Sequence, residues 1–166
     1  MPELGRIKFY VDNMLRGLAT WLRFLGFPAI ILNSPQEFVQ LQKREDHCFY
    51  LTRSNRHYHT AGAEDAIRLL SDDIPGQLNE LDRELSIFQK INLLSLCSIC
   101  NVPVEKTDKA AIRQEVPEKV RHSFNLFYRC PECSRIYWEG GHIKRLKDKL
   151  KRMNIPLPEN HSHENF

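Results

Sequence analysis

The stretch Ile7-Lys8-Phe9-Tyr10-Val11-Asp12-Asn13-Met14-Leu15-Arg16-Gly17-Leu18-Ala19-Thr20-Trp21-Leu22-Arg23-Phe24-Leu25-Gly26 decides the fold. Its first five residues are rich in β-branched and aromatic side chains and read as a buried strand. Asp12-Asn13 is a capping pair. Apolar residues then recur at helical spacing until Gly26, a stop signal. A strand that runs straight into a helix is the opening of a βαβ unit. One carboxylate, Asp12, stands at the junction, and ligands of open parallel sheets gather beyond the carboxyl ends of the strands.

Reading outward, Phe27 to Leu32 is a second strand with Pro28 near its start. Ser34 and Pro35 then form an N-cap and first helical position. The helix that follows, Gln36 to Arg44, has Phe38, Val39 and Leu41 for an inner face and Glu37 in its first turn. His47 to Thr52 is a third strand, continuous enough to be covered on both faces. The polar stretch Arg53 to Thr60 opens a short helix. Ala66 to Leu70 is a fourth strand. Ser71-Asp72-Asp73-Ile74-Pro75-Gly76 starts a fourth helix, whose stripe is Leu78, Leu81, Leu85 and Phe88. This alternation predicts an α/β three-layer sandwich with a parallel sheet.

The character changes near residue 92. Cysteine pairs, short strands (102–105, 123–129 and 135–139) and a basic balance follow. Residues 1–90 carry 11 Lys/Arg against 12 Asp/Glu, and residues 91–166 carry 13 against 9, so the net charge of +3 sits in the second part. That surplus suits a polyanionic partner. Residues 143–152 read as a basic helix in which Lys144, Arg145, Lys147 and Lys151 could hold phosphates, with Arg53 near the sheet as a further contact. The tail from Asn154 reads as frayed. The organisation expected is an α/β domain over 1–92, a zinc ribbon over 93–142, and a basic helix with a flexible tail over 143–166. No run of about 18 apolar residues exists to span a membrane. The amino-terminal residues lack the apolar core of a signal peptide, which predicts a cytoplasmic protein.

Cys97-Ser98-Ile99-Cys100 and Cys130-Pro131-Glu132-Cys133 are two Cys-x-x-Cys pairs separated by the 29 residues 101–129. Four thiolates suit tetrahedral zinc, and four sulfurs leave no open position for water, so the expected role is structural. The long gap leaves room for an extra hairpin or loop. The fifth cysteine, Cys48, lies in an apolar strand and reads as an inert buried thiol.

Asp12, Glu37, Asp72 and Asp73 all fall beyond strand ends or in the next helical turn. Carboxylates that converge there repel one another unless a cation lies between them. Mg²⁺ or Mn²⁺ suits such an oxygen site and can activate water against a phosphodiester. Taken singly, the same residues read as helix caps and dipole partners.

The motif Phe9 to Phe27, followed by Leu51-Thr52-Arg53, Ser71-Asp72-Asp73 with Gln77-Leu78, Phe127-Tyr128-Arg129-Cys130-Pro131-Glu132-Cys133 and Tyr137-Trp138-Glu139-Gly140-Gly141-His142, resembles the Mut-seven C-terminal ribonuclease family. The resemblance implies a PIN-like sheet with a zinc ribbon, a nuclease site dependent on Mg²⁺ or Mn²⁺, and RNA as substrate. Asp12 matches the first catalytic acid of that family, and Glu37 falls near its second acidic cluster. Asn33-Ser34-Pro35-Gln36 and Ser54 stand where the family tends to carry acids. Two functions follow as expectations: a metal-dependent endoribonuclease with Asp12, Glu37, Asp72 and Asp73 at its centre, or a degenerate PIN-like module that binds RNA or protein without cutting.

Overall fold

The computed structural model describes residues 7–42, 47–62 and 64–158. Strand β1 (Lys8–Asp12) runs through a 3₁₀ turn into helix α1 (Arg16–Phe24). Then come β2 (Ala29–Leu32), α2 (Pro35–Gln42), β3 (Cys48–Thr52), α3 (Asn55–Ala61), β4 (Ala66–Arg68) and α4 (Ile74–Leu85). The sheet order is β2-β1-β3-β4 and every pairing is parallel. The side-chain period of two sorts each strand into two cores. Phe9, Val11, Phe49 and Leu51 face α1 and α4, where Leu18, Leu22, Leu78 and Leu81 are fully buried. Tyr10, Cys48 and Tyr50 face the other way, onto Phe38 of α2 and Ala61 of α3. The parallel sheet is therefore covered on both faces, as its continuous apolar strands require.

The helix ends follow their local chemistry. Gly26 closes α1 with a φ of +93°, and the Phe27 N–H reaches back to the Leu22 carbonyl at 2.8 Å. This is a Schellman ending that favours glycine. A Cβ at Gly26 would meet the Asn92 carbonyl oxygen at 2.3 Å, so the site also needs glycine for close approach. The fourth strand stops at Arg68, two residues short of the sequence expectation. The reason is Glu80, whose carboxylate accepts the N–H groups of Leu70 and Ser71 at 2.8 Å each and pulls the chain away from the ladder. Leu41, expected on the inner face of α2, is at the surface. Residues 43 and 44, expected to end that helix, lie outside the described residues.

The second sheet is antiparallel: β5 (Glu105–Thr107), β6 (Phe127–Arg129) and β7 (Ile136–Tyr137), in that order. The gap between the cysteine pairs holds the antiparallel pair β5 and β6, joined by a long connection that contains the helix α5 (Glu118–Ser123) and a small core of Ile112, Val116 and Phe127. Helix α6 (Gly141–Arg152) is basic as expected, but Leu150 is fully buried in the core beneath α1. The chain does not fray at Asn154. Asn154 takes a φ of +56°, the Ile155 N–H reaches the Leu150 carbonyl at 3.0 Å, and Ile155 is buried. The rest of the expected tail, residues 159–166, lies outside the described residues. No helix among the described residues is long and apolar enough to cross a membrane.

Candidate active site and metal centre

Asp12 ends β1, and β3 lies directly beside it in parallel register, with Val11 opposite Leu51. The next residue of each strand therefore meets the other. Thr52 donates its hydroxyl to Asp12 Oδ2 at 2.6 Å. The chain leaves β3 through Ser54, whose hydroxyl accepts the His57 N–H at 3.2 Å and starts α3. That cap places His57 in the first turn, where its Nδ1 lies 2.6 Å from the same Asp12 Oδ2. The other oxygen, Oδ1, accepts the Met14 N–H at 3.3 Å. Asp12 is 3% exposed, and the His57 side chain 32%.

Burial by itself would raise the Asp12 pKa. The hydrogen bonds from Thr52, His57 and Met14, with the charge of His57, outweigh it and hold the carboxyl below its usual range. An ionised carboxylate can only accept, so Nδ1 of His57 donates to it, and whenever the ring is uncharged its lone pair stands on Nε2. The Tyr50 hydroxyl is enclosed nearby and makes no well-formed hydrogen bond among the described residues. Burial first, then the charge and proximity of Asp12 and the charge of Glu37, push its pKa far up and keep it protonated.

The other predicted acids have separate partners. Glu37 accepts the Ser34 hydroxyl at 3.3 Å within its own helical turn. Asp72 pairs with Arg53 at the surface. Asp73 caps α4, accepting the Gly76 N–H at 2.7 Å. These acids form no group of three or more with Asp12; among the described residues the one such group of metal-binding side chains is the four cysteines. Both lone pairs of Asp12 Oδ2 are taken by Thr52 and His57, and Oδ1 has one of its two taken. An octahedral Mg²⁺ or Mn²⁺ asks for several oxygens at about 2.1 Å. The donor set around Asp12 does not fit it.

The cysteine group does fit an ion. The Sγ atoms of Cys97, Cys100, Cys130 and Cys133 all lie within 4.8 Å of one another. Sulfurs about 2.3 Å from a tetrahedral zinc stand about 3.8 Å apart, and Cys97 and Cys133 are separated by 3.8 Å. The two turns are built alike. Asn101 and Ser134 each take a positive φ of 60° and donate N–H back to Cys97 and Cys130. The N–H groups of Cys100 and Cys133 point at the first sulfur of their own turn, at 3.4 and 3.5 Å. Burial works against ionisation of Cys97, but the Cys100 N–H and the Tyr137 hydroxyl at 3.0 Å bring its pKa down to about 6. These four sulfurs could hold a zinc ion.

The predicted phosphate contacts lie apart from one another in sequence. Arg53 is beside the Asp12 site, joined to Thr52. Lys144, Arg145 and Lys151 are exposed along α6, and Lys147 pairs with Glu139. Lys144 and Lys147 line a cavity of about 380 Å³ with Phe124 and Glu139.

Sequence reasoning missed Thr52 and His57 as partners of Asp12. Their signal is the strand order. Once β3 is known to neighbour β1, the first turn after β3 must face the first turn after β1.

A family model described as Mut7-C RNAse domain matches residues 7–150. Comparison with curated proteins and with solved structures found no match.

Proposed function

The chain belongs to the Mut7-C RNAse domain family, and from that premise we propose that it is a ribonuclease that cuts RNA phosphodiesters at Asp12. The observation that carries this is a buried carboxylate, kept ionised at the carboxyl end of a central parallel strand, with a partly exposed imidazole on it. Residues 1–92 would do the cutting. The four-cysteine ribbon over 93–142, with one zinc ion on Cys97, Cys100, Cys130 and Cys133, and the basic segment 143–166 would hold the RNA. Lys144, Arg145, Lys147, Lys151 and Arg53 would contact phosphates, a sequence-independent attraction that salt weakens. The protein would work in the cytoplasm, where thiols stay reduced and available to a metal.

The test is cleavage of single-stranded and structured RNA with Mg²⁺, with Mn²⁺ and with neither, alongside Asp12→Asn. Both ions are included because family resemblance implies one that the Asp12 donor set does not fit. Expected is cleavage by the wild type and loss of about 100-fold or more in Asp12→Asn. Cleavage that survives the substitution rejects Asp12 as the centre. That Glu37, Asp72 and Asp73 each have a partner other than Asp12 favours a second reading, a binding module without activity. RNA binding that weakens with salt, with no cleavage under any of the three conditions, would establish that one instead.

A further inference from the structure

We propose that His57 is the general base of this site and that Asp12 positions it, so that RNA is cut through its own 2′-hydroxyl without a divalent ion. This rests on the ribonuclease reading and gives it a mechanism. The geometry has three parts. Nδ1 of His57 is held at 2.6 Å by a carboxylate that Thr52 also holds at 2.6 Å, so the ring cannot turn over without breaking a short, part-buried hydrogen bond. Nε2 then lies on the ring edge away from Asp12, on a side chain that is 32% exposed. Two guanidinium groups flank the same turn: Arg53 precedes the Ser54 cap, and Arg68 Nη1 donates to Asn55 Oδ1 at 2.9 Å. Both side chains are exposed; Arg53 is paired with Asp72 at the surface, and exchanging that solvent-screened pair for a phosphate would let it hold phosphodiester oxygens beside Arg68.

The step balances without a metal. The Nε2 lone pair takes the 2′-hydroxyl proton as the 2′-oxygen forms a bond to phosphorus. The bond from phosphorus to the 5′-oxygen breaks, and its electron pair leaves on that oxygen, which takes a proton from water. The imidazolium returns its proton to solvent. The products are a 2′,3′-cyclic phosphate and a 5′-hydroxyl end. The carboxylate fixes the tautomer and stabilises the imidazolium while it exists, as an orienting acid does beside a histidine base elsewhere. The 2′-hydroxyl is also what restricts such a site to RNA.

The experiment uses the full chain without added Mg²⁺ or Mn²⁺, with zinc content measured before and after, because a chelator would attack the cysteine site as well. Three readouts are taken on a short RNA: the chemistry of the new ends, cleavage of a substrate with a single 2′-deoxy sugar at the cut, and the rate of His57→Asn. The asparagine amide can still donate to Asp12 but cannot accept the proton. Expected are cyclic-phosphate ends, no cutting at the deoxy sugar, and a fall of about 100-fold or more in His57→Asn with RNA affinity unchanged. The end chemistry and the deoxy substrate need no variant, so a poorly folded His57→Asn does not blunt the test. Cleavage only with Mn²⁺ or Mg²⁺, leaving 5′-phosphate ends and cutting the deoxy site, overturns the His57 mechanism and leaves the ribonuclease reading standing. A folded His57→Asn that cuts at the wild-type rate also overturns it. No cleavage by the wild type under any condition overturns both.

Discussion

At the scale of single residues, the energetics of Asp12 turn on three donors. A carboxylate at 3% exposure would be costly to ionise without them. With Thr52, His57 and Met14 all donating, the folded-state pKa lies below the unfolded value of about 3.9. The sign follows from that ordering. The folded state binds this proton less readily than the unfolded chain, so Asp12 stabilises the fold at neutral pH. That contribution is fully present above the unfolded pKa and is lost as pH falls through the lower, folded one. Urea midpoints taken from pH 6 to pH 2 should therefore drop more steeply below about pH 4 in the wild type than in Asp12→Asn. Parallel acid limbs for the two proteins would mean that the three donors do not favour the ionised form. Asp12 was legible from the sequence because a lone carboxylate at a strand-to-helix junction is a local pattern. Its partner His57 is 45 residues away and sits in a polar stretch with two other ring side chains, Tyr58 and His59. Nothing local marks one of the three as the partner.

At the scale of elements, most strands and helices were readable because period two and period 3.6 are local properties. The errors came where a distant group took over the backbone or a face. Glu80 ended β4 early. The apolar residues of α6 were outnumbered by lysine and arginine, and the segment looked like a solvated basic helix. Its Leu146, Leu150 and Met153 recur at helical spacing and pack on the core of the parallel sheet, while Lys144, Lys147 and Lys151 lie on the other side. The helix therefore has two functions that can be separated. Leu150→Ala should cost roughly 2–5 kcal/mol in chemical denaturation, the usual range for a buried leucine. Lys144→Ala, on the exposed face, should leave stability within about 0.5 kcal/mol and weaken RNA binding. It should also reduce the salt slope of log affinity by about 1. If Leu150→Ala costs no more than Lys144→Ala, the carboxyl-terminal helix is a solvated arm after all.

At the scale of the whole molecule, the two sheets are joined through the first cysteine turn. Arg23, in the last turn of α1, donates Nε and Nη2 to the Ala29 carbonyl at 2.9 and 2.7 Å. Its Nη1 reaches the Ser98 carbonyl at 3.2 Å and the Ile99 carbonyl at 3.4 Å, inside the Cys97–Cys100 turn. Asn101, the residue that closes that turn, accepts the Ala29 N–H at 2.9 Å. Both backbone groups at the start of β2 are thus held by the cysteine turn or by the arginine that clamps it. The Cys-x-x-Cys spacing marks four cysteines that could hold a metal, but nothing in that spacing tells which strand the turn is fastened to. The consequence is a coupling. A metal that orders the cysteine turn also orders the amino end of an edge strand in the parallel sheet, because metal binding energy enters folding energy wherever the ligands are disordered without it. Purified protein should contain about one zinc per chain. Its thermal unfolding, followed by far-UV circular dichroism and by tryptophan fluorescence, should show one transition, and stripping the zinc should move that whole transition to lower temperature. Each kcal/mol lost corresponds to about 2–4 °C for a chain of this size. Arg23→Ala combined with Asn101→Gly should break the link, since both connections to Ala29 are then gone. In that variant zinc removal should unfold the cysteine ribbon while the amides of β1 and β3 keep their protection from hydrogen exchange. If removing zinc from the wild type leaves β2 as protected as before, the clamp at Ala29 carries no energy between the two sheets.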